Sequence, residues 1–145
     1  MKHLVLLVLT IGWVLIINAQ PQPNRPDWIT RIPKPSEKNK TIYYRVTIGE
    51  GVDYNKAYAN AFAKAILESS WKLGLKVSNE NDINTIERSV YNDIVIEPNE
   101  MNLPMNKVCE YQENLQTTTG YRLYILWQIA TAGNIIPVFE DYDCH

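Results

Sequence analysis

The stretch from Thr41 to Gly74 constrains the fold of this chain most, because its pattern predicts a strand, a tight turn and a helix in direct succession. Over residues 41–48 the side chains alternate in character, which is typical of a half-buried strand. The glycines on either side of Glu50 end the strand, since glycine accepts backbone angles that other residues avoid. One face of this strand carries Ile42, Tyr44, Val46 and Ile48, and the other carries Tyr43, Arg45 and Thr47.

A helix is predicted from Tyr54 to Leu73. Asp53 precedes it as an N-cap, because its carboxylate can accept bonds from the free amides of the first turn, and Gly74 is placed to end it. Polar residues recur every four positions, so the opposite side is predicted to pack on a sheet, with small alanines that allow a close approach. The polar stripe is Lys56, Asn60, Lys64, Glu68 and Lys72, and the packed side is Tyr58, Phe62, Ile66, Ser69 and Leu73, flanked by Ala57, Ala61 and Ala65.

The rest of the chain predicts a hairpin with arms at 105–115 and 121–130, joined by a turn at 116–120. The second arm is apolar on both faces, which indicates a central strand. Between helix and hairpin the pattern is weaker. Residues 84–91 are predicted to be irregular or helical, and residues 93–97 to form a strand.

The first 19 residues have the pattern of a secretory signal peptide, with a short basic start, an apolar run from Leu4 to Ile17, and Ala19 before the cleavage position. An uncleaved anchor is the alternative, although the run is short for a membrane span of about 20 residues. No cysteine follows the run, so no lipid attachment is predicted. The predicted organisation is a signal peptide at 1–19, a Pro-rich leader at 20–40, a folded domain at 41–132 and a C-terminal tail at 133–145.

The charge balance excludes some classes of partner. The chain has 14 Lys+Arg and 16 Asp+Glu, for a formal net charge of −2, and signal cleavage would remove only Lys2. This is not basic enough to indicate nucleic acid as a partner, and no long run of one sign indicates an anionic membrane. Membrane contact is therefore expected only indirectly or through an uncleaved signal.

The two cysteines, Cys109 and Cys144, permit one disulfide in an exported chain. Such a bond would join the last residues to a strand of the hairpin. Two free thiols are the alternative, because a cysteine in a mobile tail need not pair. Asn39-Lys40-Thr41 is a glycosylation sequon, which matters only in a host that glycosylates exported proteins.

The histidines argue against familiar nucleophilic catalysis. They are His3, in the predicted signal, and His145, so Ser-His-Asp and Cys-His arrangements are not expected. The sequence contains no CxxC, HExxH, P-loop or GxGxxG motif, and no cofactor is predicted. Glu110 and Glu113 lie on opposite faces of one predicted arm, so they cannot act as a catalytic pair.

The tail contains several metal-ligand residue types, but no metal site is predicted. A closed site needs fixed geometry, which a free tail lacks. The residues concerned are Asp141, Asp143, Cys144 and His145.

Four features carry a resemblance to a known family. They are Pro26-Asp27-Trp28-Ile29, the Tyr-rich strand ending in Ile48-Gly49-Glu50-Gly51, the helix with Ala57, Ala61 and Ala65, and the late strand Tyr121-Arg122-Leu123-Tyr124-Ile125-Leu126. Together they resemble the LPP-twenty family of small bacterial envelope lipoproteins. The N-terminal domain of flagellar assembly protein T is similar in plan.

The resemblance implies an α+β fold, with one long Ala-rich helix packed on a small antiparallel sheet of three to four strands. It also implies bacterial export and a non-enzymatic role at the cell envelope. Members of the family are usually lipidated, whereas this chain lacks the required cysteine. A periplasmic or outer-envelope location without a lipid is therefore expected.

From these observations we expect an exported structural or protein-binding module whose partner is another envelope protein. The contact surface is predicted on the sheet face or edge that the helix leaves uncovered, since Tyr and Arg are favoured at interfaces. Trp28 is predicted to anchor the leader on the domain, with ligand stacking as the alternative. Other candidate functions are an accessory subunit of a flagellar or cell-wall synthesis complex and a small hydrolase. The candidate contact residues are Trp28, Tyr43, Arg45, Arg122 and Tyr124.

Overall fold

The computed structural model describes residues 25–72, 84–88, 91, 104–115 and 120–145. The predicted signal peptide, the helix-ending glycine, the predicted strand at 93–97 and most of the hairpin turn lie outside the described residues. None of the described helices is long and apolar enough to cross a membrane. The elements are a 3-10 helix (Asp27–Ile29), β1 (Ile42–Gly51), α1 (Tyr54–Lys72), β2 (Met105–Asn114) and β3 (Tyr121–Ala130).

The three strands form one antiparallel sheet in which β3 lies between β1 and β2. This confirms the predicted hairpin and the central position of its second arm, whose last eight residues are buried. Where the two arms meet the turn, the backbone N–H of Leu115 donates to the carbonyl of Gly120 at 3.1 Å. Residues 84–88 are helical, one of the two alternatives predicted there. The sheet and helices together confirm the α+β class.

Helix α1 begins where the N-cap was predicted. The backbone N–H of Lys56 donates to the Asp53 carboxylate at 2.8 Å. The helix backbone then lies directly against the end of β1. A Cβ atom added at Gly49 would lie 1.9 Å from the carbonyl oxygen of Ala57 and 2.6 Å from the backbone nitrogen of Ala61. Only a glycine in the strand allows this approach. The small alanine side chains of the helix also leave room for the two backbones to lie close together.

An apolar core fills the space between α1 and the sheet. The rings of Phe62 and Trp127 stack at 5.1 Å between centroids, and the Trp127 indole N–H donates to the Thr47 hydroxyl at 2.8 Å. Burial extends beyond the predicted packed side of the helix, since Ala59 and Ala63 are also fully buried. The buried members of this core are Ala57, Ala59, Ala61, Phe62, Ala65, Ile66, Leu123, Ile125, Trp127 and Ile129.

The polar stripe of α1 contacts neighbouring elements as well as solvent. The Lys64 ammonium donates to the carbonyl of Ile48 at 2.6 Å. The Asn60 side chain accepts from the backbone N–H of Glu50 at 3.3 Å and donates to Glu87 at 2.9 Å. These bonds pair backbone groups at the end of β1 and connect α1 to the helical residues 84–88.

Candidate interaction surface

The sheet face opposite α1 holds a second apolar cluster, which includes Trp28 from the leader. The 3-10 helix places this side chain on the sheet with only 2% of its surface exposed. Trp28 therefore anchors the leader, as predicted, and its buried ring is not accessible for stacking on a ligand. The other buried members are Tyr44, Cys109, Tyr124 and Leu126.

The predicted contact residues do not share one surface. Tyr43 packs against the core under α1, where burial is the main cause that raises its pKa to about 12. On the same face, a guanidinium nitrogen of Arg45 lies 3.8 Å from a carboxylate oxygen of Glu68 on the helix. Arg122 and Tyr124 lie on the opposite face, because successive positions of a strand point to opposite sides. The predicted uncovered face containing all four residues is therefore wrong.

Arg122 and Tyr124 are engaged in contacts that hold the second face together. A guanidinium nitrogen of Arg122 lies 2.7 Å from the Glu50 carboxylate, and this hydrogen bond is the main cause that raises the pKa of Arg122. The Tyr124 hydroxyl donates to Glu113 at 3.2 Å. Arg25 pairs with the same carboxylate and lies 5.5 Å from the centroid of the Tyr124 ring. This cluster fastens the start of the described leader to β2 and β3.

Residues 135–145 form a segment without regular secondary structure, here called the strap, which packs on this second face. Cys144 of the strap forms a disulfide with Cys109 of β2, so the two cysteines are paired rather than free. The Tyr142 ring lies 5.9 Å from that of Tyr44. The predicted free tail is thus covalently attached to the sheet. The Cys144 sulfur is part of the disulfide and is unavailable as a metal-ligating thiolate. The described residues contain no group of three His, Cys, Asp or Glu side chains placed to hold a metal ion.

A buried side chain of β3 binds the main chain of the strap. The amide nitrogen of Gln128, which is fully buried, donates to the carbonyl of Glu140 at 2.7 Å, and its oxygen accepts from the Glu140 N–H at 3.0 Å. The same nitrogen donates to the Tyr44 hydroxyl at 2.8 Å. A primary amide has two N–H donors and a carbonyl oxygen acceptor, and Gln128 engages both donors and its oxygen, with one donor and the oxygen on the main chain of the strap.

A second set of hydrogen bonds, here called the clasp, joins the strap to the leader. The Glu140 carboxylate accepts from the Ser36 hydroxyl at 2.6 Å, the Ser36 N–H at 3.1 Å and the Asn39 amide at 3.0 Å. These bonds lower the pKa of Glu140, and the bond from the Ser36 hydroxyl has the largest effect. The Asn39 amide also donates to the carbonyl of Val138 at 2.8 Å, and the Val138 N–H donates to the Thr41 hydroxyl at 2.9 Å.

Because the strap is held largely through its main chain, some of its apolar side chains face outward. Ile136 is 88% exposed, Val138 62% and Phe139 41%. These three residues, here called the apolar strip, lie within four positions of one fixed segment. Single exposed apolar side chains are ordinary, whereas three of them within four positions concentrate exposed apolar surface on one segment, and apolar surface of this kind is used for interaction. Sequence reasoning missed the strip because it predicted residues 133–145 only as a tail that a disulfide could join to the sheet at Cys144, although the apolar residues 136, 138 and 139 were a visible signal.

The two carboxylates of β2 that the sequence analysis excluded as a catalytic pair, Glu110 and Glu113, have structural partners. Glu110 accepts from the Tyr54 hydroxyl at 3.0 Å and pairs with Lys107 at 2.8 Å. Burial and this hydrogen bond raise the pKa of Tyr54 to about 12. Glu113 is bound by Arg25 and Tyr124, as described above. Both carboxylates therefore serve as structural hydrogen-bond acceptors and ion-pair partners in this fold.

An open cleft of about 450 Å³ lies beside α1. Among its described lining residues, Glu87 supplies the one carboxylate, which already accepts a hydrogen bond from Asn60. The Lys56 ammonium lies 3.7 Å from the centroid of the Tyr91 ring. Its described lining therefore offers no pair of carboxylates for general acid–base hydrolysis. The lining residues are Lys56, Asn84, Glu87, Arg88 and Tyr91.

No protein-family model matches this chain, and no curated protein or solved structure matches it either. The resemblance to the LPP-twenty family stays a prediction. Among the described residues, the apolar strip is the feature that the packing of the fold does not explain, because its three side chains are exposed on a fixed segment.

Proposed function

We propose that this chain is an exported, non-enzymatic module that binds a protein partner through the outward side of its strap. Its plan would be one long Ala-rich helix packed on a small antiparallel sheet of three to four strands. The observation that carries this proposal is the apolar strip, in which Ile136, Val138 and Phe139 are exposed on a segment that a disulfide and the clasp hold in place.

The fixed backbone is what distinguishes the strip from ordinary exposed residues. A mobile tail would lose conformational entropy on binding, at about 0.5–1.5 kcal/mol for each immobilised side chain and more for its backbone. The disulfide, Gln128 and Asn39 already hold the main chain of this segment in the free protein. A partner that covers the strip would gain the burial of three apolar side chains without that backbone cost.

Export is supported by the disulfide and by the apolar N-terminal sequence. Disulfides persist in oxidising compartments and are rare in a reducing cytosol. Cys109 is 4% exposed and its bond to Cys144 fixes the strap, so the bond has a structural role. A compartment that reduced it would release the surface proposed to bind the partner.

The proposal is tested by photo-crosslinking in cells, with a photoreactive amino acid placed at Val138 of the tagged full chain. Val52 is the matched control, since it is also an exposed valine, at 73%, in the turn before α1. We expect discrete crosslinked products from position 138 and none of the same mass from position 52. Equal labelling at both positions, or products at position 52 alone, would refute the strap as the contact surface.

A further inference from the structure

Exposed charged residues of opposite sign lie near the apolar strip, on the leader and on the C-terminal part of the strap. The leader presents three exposed lysines, Lys34, Lys38 and Lys40, against one exposed glutamate, Glu37, so its net charge there is positive. The strap presents the exposed Asp141 and Asp143. The two segments are in direct contact, because Asn39, which lies between two of these lysines, donates to the main chain and side chain next to the strip. A basic rim and an acidic rim therefore lie near one apolar centre.

The two rims do not neutralise each other within the molecule. The clasp joins leader to strap through neutral donors on Ser36 and Asn39. Among the described residues, no ion pair joins a lysine of the leader to an aspartate of the strap. The nearest ionic contacts of the leader are instead those of Arg25 with Glu113 and Arg31 with Asp27.

We infer that this surface binds a second copy of the same chain, a conclusion that rests on the proposed role of the strip as a protein-binding surface. In a two-fold symmetric dimer, each residue i that contacts residue j of the partner is matched by j contacting i. A surface with an apolar centre, one basic side and one acidic side is complementary to itself under that symmetry. The leader lysines of each copy then face the strap aspartates of the other.

The charged rims are expected to set orientation and association rate more than affinity. The apolar strip supplies the buried centre, where contacts that exclude water contribute most to binding. Dimerisation should therefore weaken sharply when the strip is made polar and should weaken more gradually as salt screens the rims.

The first test is sedimentation velocity of the oxidised mature chain over a wide concentration range. We expect the wild type to move from monomer towards dimer mass, and Val138→Asp to stay monomeric at concentrations where the wild type is dimeric. The clasp uses only main-chain groups of Val138, so this variant should keep its fold. Val52→Asp is the matched control and should dimerise like the wild type. A monomeric wild type, or equal behaviour of the two variants, would overturn the inference.

The second test uses charge reversal and does not depend on the stability of one variant. One chain carries Lys38→Glu and Lys40→Glu, and the other carries Asp141→Lys and Asp143→Lys. In a dimer of either variant alone, the leader of each copy would face a strap of the same charge, at both symmetry-related contacts. Each variant should therefore dimerise at least tenfold more weakly than the wild type. Mixing the two restores both attractive contacts, so the mixture should form a heterodimer. Failure of the mixture to associate would refute the reciprocal contact.

The two proposals can fail separately. A monomeric wild type whose position 138 still crosslinks to a different protein would remove the homodimer and leave the protein-binding strap intact. A dimer whose position 138 crosslinks only to itself would support the homodimer and exclude a different partner at this surface. A monomer without any crosslinked product from position 138 would overturn both.

Discussion

The two faces of the sheet are covered in different ways. On one face, α1 follows β1 after a two-residue turn and packs through glycine, alanine and aromatic side chains. On the other face, the leader and strap come from opposite ends of the described chain and are held by Trp28, a disulfide and side-chain hydrogen bonds to main chain. The first cover is local and mostly apolar, and the second is distant in sequence and largely polar or covalent.

This contrast indicates that the two covers should separate under perturbation. Apolar packing against a central strand is part of the cooperative core, whereas segments held by a few specific bonds open at lower free energy. The strap should therefore be the part that a single chemical change can release while the rest of the domain remains folded. Four experiments, from the largest expected effect to the smallest, examine this separation.

Removal of the disulfide by Cys109→Ser and Cys144→Ser is expected to lower the free energy of unfolding by about 4 kcal/mol, because the bond joins positions 35 residues apart. Urea unfolding measures this loss. Hydrogen exchange should show loss of protection in the strap and retained protection in α1. Uniform loss of protection in both regions would show that the two covers form one cooperative unit.

Gly49→Ala should damage the helix-covered face. The added Cβ would lie 1.9 Å from the carbonyl oxygen of Ala57, so the helix backbone must move. We expect a loss of about 3 kcal/mol in urea unfolding, at the upper end for overpacked cores. Gly120→Ala is the control, since its Cβ would come no closer than 3.0 Å to the carbonyl of Gly51, and its cost should be smaller. Equal costs would contradict the close approach of helix and strand.

Gln128→Leu should loosen the strap without disturbing α1. The variant leaves the Glu140 peptide groups and the Tyr44 hydroxyl without their buried partner, at a cost of about 1–3 kcal/mol. Nuclear magnetic resonance of the backbone amides should show shifts near Glu140 and Tyr44 and few in α1. Gln112→Leu, at an exposed position of β2, is the control and should change the free energy of unfolding by less than about 0.5 kcal/mol. Similar costs for both variants would contradict the role of Gln128.

Acid should open the clasp before it unfolds the sheet. The hydrogen bonds from Ser36 and Asn39 lower the pKa of Glu140 in the folded chain. The stability that they give is present above the unfolded pKa of a glutamate, near about 4.3, and is lost as the pH falls through the lowered folded pKa. Hydrogen exchange of the strap, followed from neutral to acidic pH, should show this loss in the wild type. In the Glu140→Gln variant, hydrogen exchange of the strap should no longer change over this pH range. If the variant shows the same pH dependence as the wild type, Glu140 is not the group responsible.

Local signals made much of the helix-covered side predictable. The Asp53 cap, the start of α1 and the central position of β3 follow from periodicity and end residues that lie within a few positions of one another. The burial of Trp28 was also predictable, because a tryptophan beside an isoleucine in an otherwise polar leader is expected to dock on the folded domain. Each of these features can be inferred from a short window of sequence.

The strap-covered side was not predictable by the same means. The bonds between Gln128 and Glu140 and between Ser36 and Glu140 join residues 12 and 104 positions apart, and such contacts leave no periodic pattern. The position of Arg45 was assigned wrongly for a related reason. Arg45 remains about half exposed to solvent, but it lies on the helix-covered face beside Glu68 of α1, a neighbour that the strand pattern alone does not reveal.

The way Val138 is held has a consequence for how this surface can change. Thr41 and Asn39 bind its peptide groups, which every residue except proline can offer in the same geometry. Its side chain can therefore be exchanged without loss of those bonds, and Ile136 and Phe139 are similarly exposed. Mutational drift can alter recognition at these positions independently of the fold, and the same freedom makes the segment a suitable place to graft a foreign recognition sequence.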